Sequence, residues 1–234
     1  LATLPPIAPV DLEPSTSPAS AGADARPLLR GWLHLGALCV TLVAGPLLVS
    51  DARSGGTRAA LIVYVVSLVA LFGVSAAFHR VRWAPAARRR MRRADHATIF
   101  LAIAGTYTAV AGLALHGWAQ VLVLSLVWGG GAVGVTVRQA WLDAPKWAVA
   151  VPYVVVGWCA LAVVPQLVHG LGGAGFALIV AGGACYTTGA LCYARKRPNP
   201  LPGVFGYHEV FHALTVAGAA LHFAAIALYA LPSS

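Results

Sequence analysis

Charge is what this chain has least of. Only 10% of its 234 residues are charged, against about 25% in an average soluble domain. With 59% of the residues apolar, a water-soluble globule is excluded and a membrane protein is indicated. Acids are scarcest, 7 Asp and Glu facing 16 Lys and Arg for a formal charge of +9. An excess of that sign suits nucleic acid, but the basic residues stand at the ends of apolar runs, so no nucleic-acid partner is expected. Cysteine is sparse too. Cys39, Cys159, Cys185 and Cys192 all fall inside apolar runs, suggest no disulfide framework or four-thiolate metal site, and read as small buried apolar residues. Residues 1–27 lack any apolar period and are rich in Pro, Ala and Ser with Asp11, Glu13 and Asp24. That stretch reads as a disordered cytoplasmic tail rather than a secretory leader, with 28–234 as one transmembrane domain.

What is present is hydrophobicity in blocks. Seven runs of about 20 residues, each long enough to cross about 30 Å of hydrocarbon, cover Trp32 to Val49, Ala59 to Phe78, Ala97 to Leu115, Ala119 to Val137, Trp147 to Val168, Leu171 to Tyr193 and Tyr207 to Leu231. With the amino terminus and the even-numbered loops on one side, only Arg53 and Arg58 of the 16 Lys and Arg lie on the other. The positive-inside rule makes the crowded side cytoplasmic. The expected fold is therefore an all-α membrane protein, a seven-transmembrane helix bundle with its amino terminus cytoplasmic and its carboxyl terminus extracytoplasmic, lodged in the cell membrane as a multi-pass protein. The seven arginines from Arg80 to Arg93 read as a topology anchor on anionic headgroups. His34, His116 and His169, near span ends, read as interfacial side chains. Gly129-Gly130-Gly131 with Gly134, and Gly182-Gly183, suit close helix packing.

Ionisable groups inside a span are costly, and here they collect at one depth. His208-Glu209-Val210-Phe211-His212 opens the last run and places two imidazoles four residues apart, on one helix face. A rigid loop with three alternating prolines, Pro198, Pro200 and Pro202, delivers that helix. His79, with Ser75 one turn before it, ends the second run, and Asp95 starts the third. By topology all lie toward the cytoplasmic face, although Asp95 also has Arg92 and Arg93 within reach for a plain ion pair. Three neutral histidines with one open position form the donor set of a catalytic zinc, which lowers the pKa of a water from 15.7 toward about 7.

These segments resemble the hemolysin III family, the bacterial branch of the progestin and adipoQ receptor superfamily, which is related to the alkaline ceramidases. The matching elements are Ser75-x-x-x-His79, Arg93-x-Asp95-His96-x-x-Ile99-Phe100 running into Ala104-Gly105-Thr106-Tyr107-Thr108, and Arg197 through His208-Glu-Val-Phe-His212, with His222-Phe223 downstream. The resemblance implies zinc held by His79, His208 and His212, with Asp95 and Ser75 near the activated water. It implies a zinc-dependent hydrolase of a membrane lipid amide or ester, in which Asp95 moves the proton and Ser75 orients water or the oxyanion. Two alternatives stand beside it. One is a structural-zinc, receptor-like or haemolysin-type membrane protein without catalysis. The other is an intramembrane metalloprotease, because His208-Glu209-x-x-His212 is also the zincin pattern with Glu209 as base. For that the third ligand would have to be His222, about 15 Å further along the helix and too far for the same ion.

Overall fold

The computed structural model describes residues 27–141 and 143–232; the tail expected over residues 1–27 lies, but for Pro27, outside them. Among the described residues the chain is helical with no β-strand, only a single bridge between Leu201 and Phe205. Its helices are α1 (Trp32–Ser50), α2 (Gly55–Arg80), α3 (Pro85–Ala114), α4 (Gly117–Ala140), α5 (Lys146–Gly157), α6 (Val164–Arg195) and α7 (Tyr207–Ala225). A 3₁₀ segment, Cys159–Val163, joins α5 to α6, and a π-helical turn, Ile226–Ala230, extends α7. Six helical stretches are long and apolar enough to cross a membrane, the longest running from Lys146 to Arg195. The protein is thus an integral, multi-pass membrane protein.

Several ends follow from local chemistry. Thr57 N–H donates to the Ser54 side chain at 3.1 Å, which caps α2. Pro85 sits at the first position of α3, where its missing N–H costs nothing. The third apolar run begins at Ala97, but α3 begins twelve residues earlier in sequence, because arginine is a good helix former and hydropathy sees only the lipid-facing part. The stretch expected to break at His169-Gly170 is interrupted at two other places. Its 3₁₀ segment follows Trp158, and Gly172 takes φ 67°, ψ 170°, an extended left-handed geometry that only glycine adopts readily.

Contacts on either side of Gly172 show that the chain reverses there. Lys146, at the start of α5, lies over the Tyr193 ring near the end of α6, 4.5 Å from its centroid. Trp158 Nε1–H donates to the Thr187 hydroxyl at 2.8 Å. At the opposite end Gly170 packs directly on the Ala114 backbone that closes α3. Small residues let the helices approach: a Cβ on Gly105 of α3 would strike Ser67 of α2, and one on Gly218 of α7 would lie 3.0 Å from the Gly182 carbonyl of α6. Of the glycines singled out on α4, Gly131 and Gly134 face Phe100, whereas Gly129 meets nothing. The cysteines are free, and Cys39 is exposed rather than buried, because it falls on the outer face of α1.

Candidate metal centre

The C-terminal end of α2 and the N-terminal ends of α3 and α7 meet at one level. His79 and Ser75 are buried on α2, and His212 is buried two turns into α7. The ligating atoms of His79, His208 and His212 all lie within 4.8 Å of one another, so the three could hold a metal ion. The Nε2 atoms of His79 and His208 are 3.2 Å apart, and the His208 and His212 ring centroids are 4.6 Å apart.

Asp95, half-buried on α3, lies beside Ser75 of α2. It does not pair with its arginine neighbours. Arg92 instead reaches across to Asp143 at 2.6 Å, beyond the end of α4, and Asp95 lines the same cavity as the histidines. All five of these residues line one cavity of about 220 Å³. Its walls are mainly apolar, from α3, α5 and α6, and it continues past Tyr186 and Thr215 to His222. His222 donates from Nε2 to the Ile179 carbonyl at 3.0 Å and is not part of the cluster.

One histidine differs from the sequence reading, and one carboxylate that the sequence left open is placed. His34 is not interfacial: only 2% exposed, its ring stacks on His212 with centroids 3.9 Å apart and planes 14° apart. It falls there because α1 packs on α2 and α7, and the edge of its ring meets Phe72 at 5.3 Å. Hydropathy could not show this, since a histidine near a span end looks the same whether it faces lipid headgroups or a neighbouring helix. His116 and His169, by contrast, are exposed.

Glu209 is that carboxylate. It is 0% exposed, accepts from the guanidinium of Arg30, and accepts from the Gly206 backbone N–H at 2.9 Å. It does not line the cavity. This carboxylate fastens the start of α7 to the segment preceding α1, where Leu28 N–H and Leu29 N–H also donate to the carbonyls of Gly203 and Val204 at 3.0 and 3.2 Å. The signal was in the sequence: Glu three residues after Gly206, at the mouth of a helix, is the capping-box position. Arg30, counted only as a topology charge, is its partner.

Fold and site together define a class, helical multi-pass membrane proteins with a histidine cluster fit for a metal at the head of an apolar cavity. Within that class this chain belongs to the haemolysin-III-related family, whose profile matches residues 24–223. It is 29% identical over 191 residues to Hemolysin-3 of Bacillus cereus, covering 80% of this chain and 84% of that protein. It is also 29% identical over 135 residues to a Hemolysin-3 homolog of Bacillus subtilis (strain 168), 58% of this chain and 61% of the relative.

Proposed function

We propose that the chain crosses the membrane seven times with its amino terminus cytoplasmic, that His79, His208 and His212 hold zinc, and that the cavity hydrolyses a membrane lipid amide or ester. Two observations support seven crossings. A single helix from Lys146 to Arg195, 50 residues, would be about 75 Å long, more than twice the hydrocarbon thickness. Its two ends, at Lys146 and Tyr193, are instead side by side. The orientation rests on the arginine-rich side, which is also the side of the histidines.

The observation that carries the zinc reading is the 3.2 Å between the Nε2 atoms of His79 and His208. Zn–N bonds of about 2.0–2.1 Å in a tetrahedral site put two ligand nitrogens about 3.3 Å apart. Two imidazole nitrogens facing each other at that separation, with the third imidazole of the cluster beside them, suit a shared cation. A zinc ion bound there supplies Lewis acidity, polarising a carbonyl oxygen and bringing the pKa of a water toward about 7.

The rest is done by side chains of this protein. The Asp95 carboxylate takes the proton at one oxygen and returns it to the leaving amine or alcohol. Ser75, beside it on α2, orients the reacting oxygen through its hydroxyl. The apolar walls, among them Ile99, Ala102, Ile103, Val149 and Val154, receive the acyl chain and keep bulk water away. Glu209 is engaged by Arg30 and Gly206, which disfavours the zincin pattern.

Asp95→Asn tests the mechanism. It is expected to keep one zinc per chain and to lose hydrolysis of fluorogenic N-acyl and O-acyl lipids by a factor of about 10². Unchanged turnover in the variant refutes the role of Asp95. A zinc-loaded wild type inert toward both lipid classes refutes hydrolysis and leaves the structural-zinc, receptor-like reading.

A further inference from the structure

Next to the histidine cavity, α4 and α5 flank a second groove of about 350 Å³. Its floor and walls are apolar: Gly130, Val133, Gly134 and Val137 from α4, and Val151 and Val155 from α5. From Gly130 to Val137 it follows about 10 Å of helix, a length suited to an extended hydrocarbon chain. The side chains of Val133, Val137, Val151 and Val155 are exposed there, and in a membrane that exposure faces lipid.

The arginine-rich end of this groove is closed by Arg138. It is only 8% exposed, deep for a guanidinium. One N–H donates to the Trp141 carbonyl at 2.5 Å and another to His96 Nε2 at 3.3 Å. His96 is the acceptor there because its Nδ1 donates to the Arg92 carbonyl at 2.6 Å. Of the five N–H donors a guanidinium carries, the remainder have no carboxylate. The ion pairs among the described residues are Arg30 with Glu209 and Arg92 with Asp143, and Arg138 Nε has no acceptor at all. Burying a cation without a carboxylate bonded to it is expensive; the neighbouring Arg92 adds to that cost, and Asp143, itself bonded to Arg92, offsets only part of it.

An anion from outside the chain removes that cost, and the groove says what the anion is attached to. We infer that the α4–α5 groove binds an anionic glycerophospholipid, with one acyl chain along Gly130 to Val137 and its phosphate received by Arg138. The site is separate from the proposed zinc cavity but shares a wall with it, since Val149 and Tyr153 line both. It stands whether or not the histidines bind metal. Basic pockets between helices on the cytoplasmic side are where anionic headgroups are available.

The test is native mass spectrometry of the full chain in detergent, titrated with phosphatidylglycerol and with phosphatidylcholine of the same acyl chains. The wild type is expected to retain one phosphatidylglycerol with at least tenfold preference over phosphatidylcholine. Arg138→Gln is expected to abolish the preference. Because Arg138 also holds Trp141 and His96, Val133→Trp provides a second variant that leaves those bonds intact: its indole fills the groove from an exposed position and is expected to lower retention of the lipid at least tenfold. Inorganic phosphate at millimolar concentration is expected not to compete. The inference is overturned if both variants retain the wild-type preference, or if inorganic phosphate displaces the lipid and Val133→Trp has no effect, which would make Arg138 a site for free phosphate.

Discussion

Replacing Glu209 by glutamine separates a structural carboxylate from a catalytic one. The side chain is fully buried and makes two bonds, one to the Gly206 N–H and one to the Arg30 guanidinium. Glutamine preserves an acceptor for Gly206, as capping boxes tolerate either residue, but removes the charge facing Arg30. A hydrogen bond between charged partners contributes about 1.5–3 kcal/mol. Because the Arg30 side chain is 21% exposed, part of its charge is met by water and the loss falls near the lower half of that range, about 2 kcal/mol. For a chain of this length that lowers the midpoint of thermal unfolding by about 4–8 °C. Arg30→Gln is the harsher change, since it strands a carboxylate with no exposure at all, for which about 3–5 kcal/mol is expected. The double variant should cost less than the two single changes together. Apparent Tm of purified protein in one detergent, with zinc content measured on the same samples, gives all three values. If Glu209→Gln leaves Tm unchanged yet abolishes lipid or peptide hydrolysis, the carboxylate acts as a base and the clamp described above is wrong.

Purified protein is expected to carry one zinc per chain, lost in His79→Ala, His208→Ala and His212→Ala and kept in His116→Ala and His169→Ala; stoichiometric metal in the first three variants removes the site. His34→Phe preserves the stack on His212 and is expected to keep the metal as well, so a loss of zinc on metal analysis would place His34 among the ligands. In a cysteine-free background, a cysteine at Arg58 should react with an impermeant maleimide on intact cells and one at Arg90 should not, and the reverse pattern would invert the topology.

The membrane class, the number of apolar runs and the depth of the histidines were legible because each is a one-dimensional property. Hydropathy over 20 residues identifies a span. Alternation of sides then fixes that the end of α2 and the starts of α3 and α7 share a level, whatever their lateral packing. The spacing of His208 and His212 adds a shared helix face. The haemolysin-III resemblance was legible from the same segments, and the family match bears it out.

Lateral arrangement was not legible, and the placements of His34, Arg92 and Glu209 all trace to it. Which neighbour a helix face meets depends on packing between segments far apart in sequence. His34 and His212, 3.9 Å apart in space, are separated by almost the whole domain, so His34 passed for an interfacial residue. Arg92 could pair with Asp95 close to it in sequence or with distant Asp143, and only the approach of α4 to α3 brings Asp143 close enough to take that bond. Glu209 sits one residue after His208, about 100° around the helix, and no periodicity tells whether that direction is cavity or neighbour. The sequence by itself determined the apolar runs and the depth of the histidines, which are local properties or consequences of crossing a slab. Tertiary structure alone decided which side chains at that depth face one another, because side-by-side contact between helices is settled by the three-dimensional fit of small residues such as Gly105, Gly182 and Gly218, not by any pattern along the chain.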